Sequence, residues 1–411
     1  MASTPLPTYA QLEPVGQCNL RCQMCAIQFR QDGPPFGALA FMSLERFVQA
    51  LDALPGLREL HLQGLGEPMM HPRFFEMVAL ATARGIRVST NTNATLLNQR
   101  RAEGCVTSGL DCVHVSLDGA TAATYERIRV RAHFDRVTAN VERLLAARER
   151  LGSATPRLRM VMVLMRQNLD ELPALVRLAH RWQVEGLFVQ HLCHDFGESS
   201  LPARYRPMRA FVDEQTLLHE DEARVEAAFS EARALAAALG VDLRLPRARP
   251  RPHAPGVSGR QRCDWPWRGA YLSYDGSAMP CCMVSTPDRI NFGSIADRDF
   301  ASIWNSAEYE AFRERLDSDD PPEVCRSCAV YAGMFCIAAR SQRRLRPRLK
   351  AAYRRETRLR GFRIGPPRVR AGGRCGLARP FRRGFNRWPP RREPHLLLEI
   401  DAWRAWQAWR A

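Results

Sequence analysis

Three cysteines near the N-terminus constrain this chain more than any other feature. Cys18, Cys22 and Cys25 stand at the spacing C-x3-C-x2-C, directly after a strand-like run over residues 9–14. Soft thiolates select iron–sulfur clusters, zinc or Cu(I). A structural zinc site is closed by four ligands, whereas a [4Fe–4S] cluster held by three cysteines keeps one iron open for a small molecule. The spacing therefore favours an open cluster over three buried apolar cysteines.

Strand-like runs alternate with helical patterns over residues 9–245. The strand-like runs lie at 9–14, 57–62, 86–90, 112–117, 158–164 and 187–190. Helices are predicted at 44–54, 72–85, 135–151, 169–182 and 221–239, while residues 193–220 are predicted to be irregular. This alternation indicates an α/β fold built from βαβ units on a parallel sheet, whose ligands lie at the carboxyl ends of the strands. Six units are too few for a closed barrel of about eight strands.

Three further motifs follow strands of this series. Gln63-Gly64-Leu65-Gly66-Glu67-Pro68 follows the second run, Thr90-Asn91-Thr92-Asn93-Ala94-Thr95-Leu96-Leu97 includes the end of the third, and Ser116-Leu117-Asp118-Gly119 follows the fourth. Each could be an ordinary turn, because glycine and Asp-Gly are common at strand ends. The ordered set behind the cysteine triad is much more specific than any one motif.

The ordered set resembles the radical S-adenosylmethionine (SAM) superfamily over about residues 9–200. The family signature is Cys-x3-Cys-x-φ-Cys, and Met24 stands at φ, where an aromatic residue is commoner. Leu65 replaces the first glycine of the family's Gly-Gly-Glu-Pro motif. Ala94 replaces the glycine of its Thr-Asn-Gly-Thr-Leu-Leu motif.

The resemblance implies an open, partial (βα)6 barrel with a [4Fe–4S] cluster on Cys18, Cys22 and Cys25. It also implies SAM contacts from Met24, Gly66, Glu67, Pro68, Asn93, Ser116 and Asp118. One electron, from a donor such as flavodoxin or ferredoxin, then cleaves SAM to a 5′-deoxyadenosyl radical, which abstracts hydrogen from a substrate.

A second group of cysteines lies downstream. Its members are Cys263, Cys281, Cys282, Cys325, Cys328 and Cys336. Asp275-Gly276 predicts a hairpin turn between 271–274 and 278–283, and residues 303–316 predict one helix. The apolar stripe of that helix is expected to lie in the core: Trp304, Tyr309, Phe312 and Leu316. Four thiolates on such a unit suit zinc as well as an iron–sulfur cluster.

This downstream unit resembles the first part of a SPASM domain, or its shortened form, the twitch domain. The resemblance implies a second, auxiliary [4Fe–4S] cluster on Cys263, Cys281, Cys325 and Cys328. Cys282 is an alternative to Cys281, which the spacing after Gly276 favours. Cys336 and Cys375 are too few to complete a further cluster, and Cys105 and Cys112 are expected to be buried apolar residues.

These motifs divide the chain into a barrel at 9–245, a linker at 246–262, an auxiliary-cluster domain at 263–336 and a basic tail at 337–411. The tail holds 22 of the 60 Lys and Arg residues but 4 of the 43 Asp and Glu residues, so it carries +18 and the remainder −1. Its composition predicts disorder, and any nucleic-acid binding is expected through the tail alone. Thirteen cysteines without a signal peptide predict a reducing, cytoplasmic setting. The sequence has no apolar run of about 18 residues, so no membrane span is predicted.

Three functional hypotheses remain open. The first is net oxidation of a small molecule, such as a sugar or cyclitol alcohol, with the auxiliary cluster as electron acceptor. The second is a peptide-modifying maturase, against which stands the lack of an N-terminal peptide-recognition domain. The third is a non-catalytic cluster- or RNA-binding protein. Candidate substrate contacts or bases, chosen on position alone, are His191, Cys193, His194, Asp195 and Glu198, and no catalytic residue is assigned.

Overall fold

The computed structural model describes residues 3–30, 38–251, 253–254 and 256–335. The predictions for Cys336, Cys375 and the tail at 337–411 lie outside these residues. The strands are β1 (Tyr9–Leu12), β2 (Glu59–Leu62), β3 (Arg87–Thr92), β4 (Cys112–Ser116), β5 (Arg157–Leu164), β6 (Leu187–His191), β7 (Leu243–Arg244), β8 (Gly269–Leu272) and β9 (Ala278–Met279).

The helices fall between and after these strands. They are α1 (Leu44–Asp52), α2 (Phe74–Ala83), α3 (Gln99–Thr107), α4 (Ala122–Ile128), α5 (Phe134–Arg150), α6 (Leu172–Arg181), α7 (Arg206–Gln215), α8 (Glu222–Leu239), α9 (Gly259–Arg262), α10 (Trp265–Arg268), α11 (Phe300–Trp304), α12 (Ala307–Asp317) and α13 (Glu323–Arg326). None of the helices within the described ranges has both the length and the apolar character that crossing a bilayer requires.

The first six strands pair in chain order, and every pairing is parallel. This arrangement confirms the predicted α/β fold and its six strand–helix units. Side chains alternate between the two faces of each strand: along β5, Leu158, Met160 and Leu164 are buried while Val161 and Val163 are half-buried and line a cavity. Because all six carboxyl ends meet at one edge, the segments that follow them converge there.

The predicted hairpin of the auxiliary domain extends this same sheet. β8 pairs in parallel with β1, from Tyr9↔Gly269 to Leu12↔Leu272, and β9 pairs antiparallel to β8. The strand order in the described residues is β7-β6-β5-β4-β3-β2-β1-β8-β9. The sheet therefore continues through the predicted boundary near residue 263, although the domain limits themselves remain a prediction.

Two local predictions were wrong. The single helix predicted at 303–316 is broken, because the Ser306 side chain accepts a hydrogen bond from the Tyr309 N–H at 3.3 Å and caps a new helix, α12. The segment predicted to be irregular at 193–220 contains α7. The predicted stripe from Trp304 to Leu316 is buried as expected.

The lumen of the barrel holds two neighbouring histidines, the buried His61 and the half-buried His114. In His61, Nδ1 lies 2.8 Å from Ser89 Oγ and Nε2 lies 2.7 Å from Gln63 Oε1. The His114 ring lies 5.5 Å from that of His61. Burial lowers the pKa of His61 to about 4, and burial together with the neighbouring His61 and arginines lowers the pKa of His114 to about 3. Both rings are therefore neutral near pH 7.

Acidification will destabilise the protein through these histidines. An unfolded histidine takes up its proton near pH 6.5, whereas folded His61 resists protonation down to about pH 4. Stability is therefore full above pH 6.5 and is lost as the pH falls below it, by about 1.4 kcal/mol per pH unit for each such histidine. Anaerobic urea unfolding between pH 7.5 and 5.5 will show a shallower pH slope for His61→Gln than for the wild type. His133→Gln, at an exposed position, is the control, and equal slopes for all three proteins would contradict the prediction.

Candidate active site and auxiliary metal centre

The three N-terminal cysteines line one cavity. The cavity has a volume of about 250 Å³ and lies at the carboxyl edge of the sheet. Backbone hydrogen bonds fix the loop that carries them: Arg21 N–H donates to Val130 O at 3.1 Å, and Gln23 N–H donates to Ile128 O at 2.9 Å. Five of the predicted cofactor residues line the same cavity: Met24, Gly66, Glu67, Asn93 and Ser116.

Hydrogen-bond donors face the sulfur atoms of this triad. The Leu20 N–H donates to Cys18 Sγ at 3.3 Å, and Asn93 Nδ2 lies 3.7 Å from the same atom. Arg129 contacts Cys22 Sγ at 3.9 Å. Burial raises the pKa of Cys22 to about 12, so binding of a metal must displace a proton. Donors and a cation beside three convergent thiols fit an iron–sulfur cluster bound through thiolates.

Glu67 joins the motifs that surround the cavity. Its carboxylate accepts hydrogen bonds from Thr92 Oγ1 at 2.7 Å, from the Asn93 N–H at 2.8 Å and from the Met69 N–H at 3.1 Å. Burial raises the pKa of this carboxyl. Through these three hydrogen bonds Glu67 ties the segment that follows β2 to the end of β3 beside the cysteine loop.

The two departures from the family motifs have structural explanations. Leu65 contributes its backbone N–H, which donates to Glu13 Oε1 at 2.9 Å, and its side chain packs against an apolar cluster beside the cavity. Ala94 has a φ of 57°, which is the left-handed region that favours glycine. The conformation that the family's glycine would adopt is therefore kept here by an alanine.

Gly66 is required for close backbone packing. A Cβ atom at this position would lie 2.1 Å from Val15 O and 2.6 Å from Gln17 O, both in the segment that leads into Cys18. The added atom would push the cysteine loop away from the motif that follows β2.

Gly66→Ala will destabilise the protein and weaken SAM binding. We expect the free energy of unfolding to fall by about 1–3 kcal/mol, the usual cost of overpacking. Anaerobic urea unfolding and equilibrium dialysis of SAM measure the two effects. Gly56→Ala is the matched control, since no atom lies within 4 Å of its added Cβ. Equal behaviour of the two variants would show that the close packing at Gly66 is unimportant.

Two predicted cofactor residues do not line the cavity. Asp118 is fully buried, pairs with Arg129 at 2.7 Å and accepts a hydrogen bond from the Val163 N–H at 2.8 Å. Its carboxylate therefore positions Arg129, which does line the cavity. Pro68 is buried at the start of the short helical turn Pro68–Met70.

The Asp118–Arg129 pair is electrostatically coupled. Burial raises the pKa of Asp118, and the guanidinium opposes that rise. Burial alone would lower the pKa of Arg129, but Asp118 and Cys22 outweigh it and raise that pKa above its usual value. A buried positive charge is therefore held beside the cysteine triad.

The predicted auxiliary cysteines converge on a second cavity. Its lining includes all four: Cys263, Cys281, Cys325 and Cys328. Cys282 is not among the lining residues, which agrees with the preference for Cys281. Burial raises the pKa of Cys263 to about 11. Four thiols on a cavity with apolar walls, including Phe312 and Leu316, fit a metal group with four thiolate ligands. Cys105 and Cys112 are buried as predicted.

The candidate substrate contacts separate into two groups. Cys193 and His194 line the first cavity, and His194 lines the second as well. His191 instead lies 2.7 Å from Arg247 O, and Glu198 pairs with Arg289 in the interior. Asp195 does not line either cavity.

Sequence reasoning assigned no role to several polar residues of the lumen. Gln63, Asn91 and Gln190 line the first cavity beside Ser116. Gln63, Asn91 and Gln190 lie on a strand or directly after one. Each is two positions from a residue that faces the same side of the sheet, so the period of two could have identified them. Arg129 also lines this cavity and was not predicted as a site residue.

Comparison with known protein families finds one domain match in each half of the chain. Residues 12–179 match the radical SAM superfamily, and residues 263–329 match the iron–sulfur cluster-binding SPASM domain. Together the two matches cover more than half of the chain. The chain is a member of the radical SAM superfamily. As a radical SAM protein with a SPASM domain it uses a [4Fe–4S] cluster, SAM and an auxiliary iron–sulfur cluster. The SPASM match favours an iron–sulfur cluster over zinc as the second metal group.

Curated relatives are similar over most of the length of this radical SAM protein. The PqqA peptide cyclase of Xanthomonas euvesicatoria is 28% identical over 333 residues, which is 80% of this chain and 82% of that protein. The tungsten-containing aldehyde ferredoxin oxidoreductase cofactor-modifying protein of Pyrococcus furiosus is 26% identical, covering 74% of this chain and 83% of that protein.

Solved structures share the fold. Streptococcus suis SuiB bound to its precursor peptide SuiA covers 80% of this chain and 71% of that chain, with a TM-score of 0.57 and 14% identity. The structure of anSMEcpe with bound AdoMet covers 80% of this chain and 85% of that chain, with a TM-score of 0.54 and 16% identity.

Proposed function

We propose that this chain is a radical SAM enzyme that modifies a peptide by net oxidation. Cys18, Cys22 and Cys25 hold the SAM-binding cluster in this proposal. The auxiliary cluster is held by Cys263, Cys281, Cys325 and Cys328. A donor such as flavodoxin or ferredoxin supplies the electron that starts the reaction.

The similarity to PqqA peptide cyclases carries the choice of a peptide as the substrate. It extends over 80% of this chain and 82% of the Xanthomonas euvesicatoria protein. The Pyrococcus furiosus relative is named for modifying a cofactor. Oxidation of a small molecule, the first hypothesis from the sequence, therefore remains the second candidate.

The chain's own residues shape a reaction cavity with two different walls. When bound, the clusters and SAM supply a one-electron reductant, a 5′-deoxyadenosyl radical that removes hydrogen, and an acceptor for the electron that an oxidised product releases. The sheet side of the cavity includes the uncharged polar side chains of Gln63, Asn91 and Gln190, which orient polar groups of the substrate by hydrogen bonds. The opposite wall carries Phe196, Met208 and Val212 among its residues.

These walls explain how the enzyme protects a reactive site. Phe196, Tyr205, Met208 and Val212 belong to one small apolar cluster, and Leu192 packs against it. In this proposal these apolar side chains keep water away from the reacting atoms. Arg129 keeps its positive charge next to Cys22, and Asp118 fixes its orientation.

The test is an anaerobic reaction of reduced, reconstituted protein with SAM and a display library of short peptides. We expect 5′-deoxyadenosine to form, and mass spectrometry to find a peptide that has lost two hydrogens. Cys18→Ala is the control and will form neither product. Coupling of 5′-deoxyadenosine formation to sugar or cyclitol alcohols, with no change in any peptide, would replace this proposal by the second candidate.

A further inference from the structure

One cysteine lies in the wall between the two cavities. Cys193 lines the reaction cavity, and its Sγ lies 3.8 Å from Sγ of Cys328, which lines the auxiliary cavity. The next residue, His194, is buried and lines both cavities. Cys193 Sγ, a ring nitrogen of His194 and Cys328 Sγ all lie within 4.8 Å of one another.

One backbone hydrogen bond and one backbone-to-side-chain hydrogen bond fix this contact. The Ala329 N–H donates to Cys193 O at 2.9 Å, and the Asp195 N–H donates to Ser327 Oγ at 3.2 Å. These bonds tie the segment around Cys193 to the loop around Cys328. The closeness of the two sulfur atoms is therefore built into the backbone and does not depend on a side-chain rotamer alone.

The distance shows what Cys193 can do beside a cluster. Two thiolates that bind different irons of a cube are separated by two iron–sulfur bonds and by the iron–iron distance across a face of the cube, and they point away from each other. They must therefore lie farther apart than the 3.8 Å found here. If Cys328 is a ligand, Cys193 is an uncoordinated thiol, and a buried thiol of this kind stays protonated.

That thiol has one proton and two sulfur acceptors within reach. Met283 Sδ lies 3.1 Å from Cys193 Sγ, and Cys328 Sγ lies at 3.8 Å. A thioether is a weak, neutral acceptor, whereas a cluster-bound thiolate carries charge and forms the stronger hydrogen bond. Cluster binding at Cys328 therefore favours donation from Cys193 to Cys328.

We propose that Cys193 is a positioning residue whose thiol donates a hydrogen bond to the Cys328 thiolate and raises the reduction potential of the auxiliary cluster. Reduction adds negative charge to the cluster and its sulfur ligands, so a donor to one of them stabilises the reduced form more than the oxidised form. This inference rests on the ligand role of Cys328 in the proposed function, and it adds a fifth cysteine to the four that bind the cluster.

The test compares the reconstituted wild type with Cys193→Ala and Cys193→Ser by iron analysis and by a redox titration followed by electron paramagnetic resonance. We expect both variants to keep about eight irons per chain. Removal of the donor in Cys193→Ala will lower the equilibrium constant for one-electron reduction about tenfold, a shift of about 59 mV to more negative potential. Cys193→Ser keeps a hydroxyl donor and will shift less. Cys105→Ala removes a buried thiol elsewhere and will leave the potential unchanged.

Two results would overturn the inference but not the assignment of Cys263, Cys281, Cys325 and Cys328 as ligands. An unchanged potential in Cys193→Ala would show that the thiol does not donate to the cluster. Loss of iron from both Cys193 variants would make Cys193 a ligand. A third result, a Cys328→Ala variant that retains the wild-type iron content and spectrum, would reject the ligand role of Cys328 and the inference with it.

Discussion

Cys22→Ala will form no 5′-deoxyadenosine and will contain about four irons per chain, where the reconstituted wild type contains about eight. Cys22 lines the cavity together with Cys18 and Cys25. Among the described residues the other cysteine of this lining is Cys193, whose sulfur contacts that of Cys328. Loss of one of three ligands therefore removes the cluster that binds SAM. The auxiliary cysteines line a separate cavity, so their irons will remain.

The measurement is chromatography of 5′-deoxyadenosine after anaerobic reduction, with iron and sulfide analysis of the same samples. Cys112→Ala, which removes a buried cysteine from β4, is the matched control and will behave as the wild type does. A Cys22→Ala protein with full iron content and undiminished 5′-deoxyadenosine formation would refute the assignment of the triad.

Arg129→Met will lower the free energy of unfolding by about 3–5 kcal/mol, because it leaves the Asp118 carboxylate buried without its partner. The two groups are 2.7 Å apart, and their side chains are 8% and 0% exposed. Anaerobic urea unfolding measures the change. The variant will also lose the contact between Arg129 and Cys22 Sγ.

The double variant Asp118→Asn/Arg129→Met separates stability from function. It buries no charge, and the asparagine oxygen still accepts from the Val163 N–H, so most of the lost stability will return. The cation beside Cys22 is absent from both variants, so we expect SAM cleavage to be impaired in both. If the double variant is no more stable than Arg129→Met, the ion pair is not the source of the effect.

Much of the fold was accessible from the sequence because its signals are local. The period of two identified the six strands, and the Ser43 cap and the left-handed Gly240 mark a helix start and a helix end where they were predicted. The cysteine triad was equally accessible, because its spacing reflects one loop after one strand. These features depend on neighbouring residues only.

The remaining features depend on residues that are distant in the chain. No local pattern indicates that β8 pairs with β1, because the partner of a strand is chosen by tertiary packing. The motif around Ser116 gives the position of Asp118 but not the direction of its side chain, which Arg129 determines. Cys193 lies in an irregular segment, and only the folded chain shows its contact with Cys328.

The pairing of β1 with β8 has a consequence for the newly made chain. One edge of β1 stays open until Gly269–Leu272 has been synthesised and has folded back beside Tyr9–Leu12. An open edge in a largely apolar sheet is a template for pairing with other chains, and such distant pairings form slowly. A shortened protein that ends before Gly269 would keep the cysteine triad and every strand of the predicted barrel, and it would still be prone to aggregate.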